Sequence, residues 1–200
     1  MEHVRLAIAA AVVIIHGTAF FFYTKQMKQG LTRPNITTWS ITMFLMVLNT
    51  LTFREMSKDL IATAQLFIGT TGCSIVFFYA LAKGKFSAPG RTGGWSLLFG
   101  VIAAIVWYMF REASWANMIV LVALFVALIP TWDGVYHDPF KEMPRSWAMW
   151  AFAYLLTTVN MVLNPSVQLV ALVNPISAVI AHGVVAVLCS EFRKRNFRMR

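Results

Sequence analysis

The chain is built of long apolar blocks separated by short polar ones. Seven apolar runs stand out, roughly Leu6–Tyr23, Ile36–Phe53, Leu60–Ala82, Trp95–Phe110, Ser114–Thr131, Ser146–Leu163 and Gln168–Cys189. A helix that crosses a bilayer needs about 20 mostly apolar residues, so each run predicts a spanning helix. The fourth is the shortest. Between Trp95 and Thr131 only Arg111-Glu112 breaks the apolar pattern. A single helix there would overshoot the bilayer and carry two charges into it, which is costly, so two tightly joined helices are expected.

Composition agrees with that pattern. The chain of 200 residues is 58% hydrophobic and 12% charged, about half the charge of an ordinary soluble domain. A soluble globular domain, a disordered chain and a disulfide scaffold are all excluded. The expected class is an all-α integral membrane protein in the lipid bilayer. A net charge of +9 would suggest nucleic acid if it formed a face, but Lys and Arg sit between apolar runs or in the last ten residues. No nucleic-acid partner is expected.

Those basic residues set the orientation. Of the 17 Lys and Arg, only Arg5, Arg54, Lys58 and Arg111 fall on one side. The rest fall on the other, which is therefore cytosolic. The N-terminus is expected outside and the C-terminus in the cytosol, and the compact form points to a bacterial inner membrane. The first run is longer than the roughly 7–15 residues of a secretory signal core and follows Glu2, so it reads as a mature helix. The glycosylation-like Asn35-Ile36-Thr37 lies on the cytosolic side and reads as chance. Cys73 and Cys189 have no metal-ligand spacing and are not expected to form a disulfide.

A repeat is visible. Arg33-Pro34-Asn35-Ile36-Thr37-Thr38-Trp39-Ser40 resembles Met143-Pro144-Arg145-Ser146-Trp147-Ala148, each leading from a basic loop through Pro and polar residues to Trp. Leu48-Asn49-Thr50-Leu51-Thr52 likewise resembles Leu156-Thr157-Thr158-Val159-Asn160. The chain parses as a first three-helix repeat (residues 1–82), a linker with the fourth helix (83–112), a second three-helix repeat (113–190) and a basic cytosolic tail (191–200). One linking helix makes the two triplets parallel, related by an axis along the membrane normal, with a site expected between them. Independent origin of two Pro-led, Trp-bearing helix starts is the competing reading.

In this 3+1+3 layout, and in its second and sixth helices with their leading loops, the chain resembles the SWEET and PQ-loop transporters. The resemblance implies gate or hinge roles for Pro34, Pro130 and Pro144. Phe20 stands where the family has a proline in the first helix, and the proline-glutamine pair of the PQ-loop group is absent. It also implies pocket residues on helices three and seven, here Gln65 and Asn174. Trp39 and Trp147, at the starts of their helices, are expected as interface anchors.

No Asp, Glu, Lys or Arg falls mid-helix, which argues against a carboxylate relay. The seventh helix has no Lys, which excludes a retinal pigment. Recognition then falls to amides, hydroxyls, imidazoles and rings. Trp39, Thr42, Met46, Asn49 and Phe53 form one stripe, and Trp147, Trp150, Tyr154, Thr157 and Met161 another at matching offsets. Asn49, Thr157, Trp150 and Tyr154 are the substrate-binding candidates, with helix–helix bridging as the alternative for the Asn and Thr. His16 and His182 are candidates for contact with a proton or substrate, or else bond a backbone carbonyl. Asp133, His137 and Asp138 could latch to Lys25 or Lys28, though a solvated loop is the default.

The resulting expectation is a transporter or facilitator of a small neutral polar, sugar-like solute. It would work by alternating access as a homo-oligomer, without a metal or other cofactor. The alternatives are a nicotinamide riboside or vitamin-type transporter of the same layout, or a non-transporting membrane receptor. With no nucleophile–base pair, HExxH helix or paired carboxylates, no enzyme is expected.

Overall fold

A computed structural model describes residues 1–32, 36–83 and 91–198. They are all-helical, with no strand among the described residues. The helices are α1 (Glu2–Lys28), α2 (Ile36–Ser57), α3 (Leu60–Lys83), α4 (Arg91–Phe110), α5 (Ala113–His137), α6 (Pro144–Val162), α7 (Val173–Leu188) and α8 (Glu191–Arg198). A 3-10 turn over Leu169–Leu172 precedes α7. Five runs are long and apolar enough to cross a membrane: Glu2–Lys28, Leu60–Lys83, Arg91–Phe110, Ala113–His137 and Leu169–Arg195. α2 and α6 are not among them, and both are rich in Thr, Ser and Asn. Of those polar residues, Thr38, Thr42 and Asn49 of α2 line the cavity described below.

Local chemistry explains the helix ends. α4 and α5 are separate helices, as the Arg111-Glu112 break predicts. Arg111 takes a left-handed φ of 55° and returns its N–H to the Trp107 carbonyl at 3.0 Å. Lys58 does the same after α2, with φ 54° and a 3.1 Å bond to the Arg54 carbonyl. The left-handed turn costs a non-glycine residue about 1–2 kcal/mol. It is offset by satisfying a terminal carbonyl and by placing a cation at the negative helix end. Asp59 then caps α3, its Oδ1 accepting from the N–H groups of Ile61 at 3.0 Å and Ala62 at 3.1 Å.

Two boundaries differ from the sequence expectation. α5 runs past Pro130 to His137 rather than stopping near Thr131. Proline removes one bond and strains one turn without forbidding further helix, as membrane helices commonly tolerate. The seventh apolar run is not helical from its start. Pro175 lacks the N–H that would bond the Ala171 carbonyl, so the α-helical ladder gives way to the 3-10 turn. The basic tail also forms α8. It docks through Arg193, whose guanidinium donates to the Tyr136 carbonyl at 2.6 Å, and through the Phe140–Phe197 ring contact.

α1 and α2 both pack on α3, and α5 and α6 both pack on α7. α1 also faces α6, and α2 faces α5, while α4 lies to one side against α5 and α2. Small residues permit the close approaches. A Cβ on Gly72 would stand 2.3 Å from the Phe20 ring, and one on Gly100 would stand 2.7 Å from Leu45. On α4, Ser96 Oγ donates to the Ala123 carbonyl of α5 at 2.7 Å. The outward faces are apolar, with Phe21, Ile75, Phe78, Val101 and Trp115 exposed.

Candidate functional site

A cavity runs through the middle of the bundle. It is walled by α1, α2, α3, α5, α6 and α7, and α4 contributes nothing to its lining. Its volume is about 80 Å3, measured as room for the centres of water molecules, against the ~10–15 Å3 one water needs. That is enough for a small solute. Among the described residues no Asp, Glu, Lys or Arg lines it.

The two stripes deliver much of the wall. From α2 come Trp39, Thr42, Met46 and Asn49, and from α6 come Trp147, Trp150 and Tyr154. The rings interlock: Phe20 lies 4.8 Å from Trp150, Tyr23 lies 5.3 Å from Trp150, and Trp147 lies 5.2 Å from Trp150. Trp39 and Trp147 are 7% and 3% exposed, so the expectation that they anchor at the interface is corrected. Both point into the bundle, where Tyr23 packs on them. Two polar atoms on the wall have no hydrogen-bond partner among the described residues, the Trp150 indole Nε1 and the Thr42 Oγ1. A buried donor without a partner is costly. These two are where a polar ligand or water fits.

The remaining amides are committed to one another. Asn49 Oδ1 accepts from Asn117 Nδ2 and from Asn174 Nδ2, each at 2.9 Å, and Asn117 also donates to Thr52 Oγ1 at 3.0 Å. Asn49 and Asn174 still line the cavity. Gln65 and Thr157 do not. The Thr157 hydroxyl donates to Gln65 Oε1, and Gln65 Nε2 meets His16 Nδ1 at 3.0 Å.

Both imidazoles are held by hydrogen bonds. His16 Nδ1 faces the Gln65 side-chain amide at 3.0 Å, and its Nε2 lies beside Gly69 on the cavity wall. His182 Nδ1 lies 2.7 Å from the Ala178 carbonyl, which can only accept, so His182 carries its proton on Nδ1 and presents a bare Nε2 when neutral. Both rings line the cavity, stacked about Tyr154 at 5.3 and 5.4 Å.

The two ends are built differently. Away from the basic loops, Arg5 Nη2 meets Asp59 Oδ2 at 2.5 Å, and Asn164 Nδ2 donates to the same oxygen at 2.9 Å. Asn160 Nδ2 donates to the Arg5 carbonyl at 2.5 Å. This clasp ties α1 and α3 to the end of α6. At the basic end, Glu142 from the α5–α6 loop folds inward and is 4% exposed. Its Oε1 accepts from the Tyr23 hydroxyl and its Oε2 from the Trp147 indole N–H, both at 3.1 Å. Burial pushes its carboxyl up to about 7, against the opposing pull of the Trp147 and Tyr23 hydrogen bonds.

Of the proposed hinges, Pro130 lies within α5, Pro144 opens α6, and Pro34 lies outside the described residues. Asp133 pairs with His137 at 3.3 Å on the exposed surface, and Asp138 Oδ1 accepts from the Phe140 N–H at 3.0 Å. Asp133 and His137 are therefore solvated, as the default reading has it, but on the last turns of α5 rather than in a loop, and Asp138 begins the segment that follows the helix. Sequence reasoning missed Asn117 and Glu142. An Asn within an apolar helix was a readable signal, whereas a lone acid in a basic loop was not. No family model, curated protein or solved structure matches this chain.

Proposed function

We propose that this protein is a membrane carrier for a small neutral polar solute, with two three-helix units joined by α4 and rocking about the central cavity. The observation that carries the reading is that cavity: walled by α1, α2, α3, α5, α6 and α7, free of charged side chains among the described residues, and holding two polar atoms with no hydrogen-bond partner among them. Carriers built from parallel repeats place their site between the repeats.

Two further features support a duplicated bundle. Exchanging α1 with α5, α2 with α6 and α3 with α7 maps the main helix pairs outside α4 onto one another: α2–α3 onto α6–α7, α1–α3 onto α5–α7, and α1–α6 onto α2–α5. The same exchange relates the polar clusters. Asn49 of α2 binds Asn117 of α5 and Asn174 of α7, while Thr157 of α6 binds Gln65 of α3, which binds His16 of α1. Each cluster joins the second helix of one unit, in chain order, to the first and third of the other, directly through Asn49 and by way of Gln65 for Thr157. This is the layout of the SWEET and PQ-loop transporters, to which we assign a distant likeness. The basic loops and α8 then face the cytosol, with the N-terminus outside, in a bacterial inner membrane. The clasped Arg5 end is the closed outer side.

A vitamin or nucleoside-type solute is the second reading within transport. It is favoured by the aromatic walls and by the pairing of Asn49 with Asn174 and of Gln65 with Thr157 and His16, which engages several of the polar groups a polyol would need. Uptake into proteoliposomes of sugars, nucleosides and vitamins tests both readings, and flux of one neutral solute is expected. Binding without flux would identify a receptor, and the absence of both would end the carrier reading.

A further inference from the structure

The aromatic floor of the cavity at its basic end is held by one carboxyl group. Glu142 takes a hydrogen bond from α1, through Tyr23, and another from α6, through Trp147. In the carrier reading these helices belong to opposite units. Release of this loop therefore frees both Tyr23 and Trp147, which pack on Trp150 of the cavity wall.

Among the described residues, the groups that face Glu142 offer no countercharge. They are Tyr23 from α1, the buried Thr32 after it, Trp147 from α6 and the buried Cys189 at the end of α7. Lys194 turns inward from α8, but its ammonium lies 3.3 Å from Glu191 and 3.6 Å from the Met143 sulfur. Among the described residues no cation is within ion-pair distance of Glu142. Gln26 and Ser146, hydrogen-bonded to each other at 3.2 Å, are neutral. A carboxylate in this place has hydrogen bonds from Tyr23 and Trp147 but, among the described residues, no cation to offset its burial.

We propose that Glu142 is a proton-binding gate for the basic end of the cavity: the neutral acid keeps the α5–α6 loop docked, and loss of its proton to water at that face releases the loop. The inference rests on the carrier reading in taking that end as a mouth. It adds a coupling that the helices alone do not suggest, since the acid lies in a loop and not in a span.

The sign follows from linkage. Docking raises the acid from its ordinary 4.5 to about 7. In that interval the docked loop holds a proton that a solvated loop does not. Docking is therefore favoured on the acid side and weakened as pH rises, by roughly two orders of magnitude across the window. The Tyr23 and Trp147 hydrogen bonds act the other way by favouring the carboxylate, so they lower the pH at which the loop lets go.

The test uses the full chain in liposomes. A reporter cysteine replaces Thr131, on the cavity wall, with Cys73 and Cys189 changed to Ala. Labelling by a membrane-impermeant maleimide is followed from about pH 5 to about pH 8. Each rate is divided by that of the same chain carrying Glu142→Gln, which cancels the thiol's own titration. The normalised rate should rise at least tenfold with pH, and adding Tyr23→Phe should move the midpoint upward. A flat normalised rate, or a midpoint that Tyr23→Phe leaves in place, overturns the gate. Should Glu142→Gln not fold, a cysteine at exposed Asp133 supplies the reference rate. Labelling needs no transported solute. A pH-dependent rate without flux would retire the carrier and keep the gate, while flux with a flat rate would do the reverse.

Discussion

Asn49→Ala removes the acceptor shared by two buried donors. Asn117 and Asn174 each give Asn49 Oδ1 a hydrogen bond of 2.9 Å. Asn117 keeps a second acceptor, Thr52 Oγ1 at 3.0 Å, so most of its loss is recovered locally. Asn174 is left facing the cavity. Hydrogen bonds between membrane helices average about 0.6 kcal/mol and reach about 1.7. Two of them, one partly compensated, give an expected loss of about 1–2 kcal/mol, a factor of roughly 5–30 in the folding equilibrium. Reversible unfolding in mixed micelles, titrated with a denaturing detergent, measures it. A cycle of Asn49→Ala, Asn174→Ala and the double variant isolates the shared bond, and its coupling should be near 0.6 kcal/mol. Additivity to within about 0.3 kcal/mol would refute the hub, and with it one of the two polar clusters that favour a duplicated bundle.

Trp150→Phe keeps an aromatic side chain but removes the second ring of a buried indole together with an N–H that has no hydrogen-bond partner among the described residues. The lost packing should cost roughly 1–3 kcal/mol, and binding of the transported solute should weaken; solute binding left unchanged in the folded variant would contradict a ligand at this N–H. Arg5→Gln leaves the carboxylate of Asp59, whose side chain is 8% exposed, without its cation and should cost roughly 3 kcal/mol. Adding Asp59→Asn should recover part of that cost, and a double variant as poor as the sum of the singles would contradict the clasp. Gly72→Leu places a Cβ 2.3 Å from the Phe20 ring and should cost about 1–3 kcal/mol. Phe20→Ala in the same chain should relieve it, and melting temperatures of the four proteins decide the matter.

Much of the candidate site was legible because helical spacing is strict. The matched stripes of the second and sixth runs placed Trp39, Thr42, Met46 and Asn49 on one wall and Trp147, Trp150 and Tyr154 on another. Gln65 and Thr157 show where that logic stops. Their positions on the helices were readable, but a polar side chain turns to whichever partner lies nearest, and here they turn to each other. Trp39 and Trp147 were misjudged for a related reason. An aromatic at a helix start suits the membrane interface and the bundle interior equally, and only the neighbour that meets it decides.

What the chain of residues determined alone is the number of apolar runs, their breaks at Arg111-Glu112 and Lys58-Asp59, the bias of positive charge and the likeness of two helices. These are local properties, set by side-chain transfer energies and by backbone bonding. Only the tertiary structure decided that α3 sits between α1 and α2, that α7 sits between α5 and α6, and that Glu142 is drawn in from its loop. Surroundings as apolar as the helices themselves do not mark the inward face. Apolar residues cover both sides, and the partner of each helix is chosen by small-residue fit and by scattered polar contacts between residues far apart in the chain.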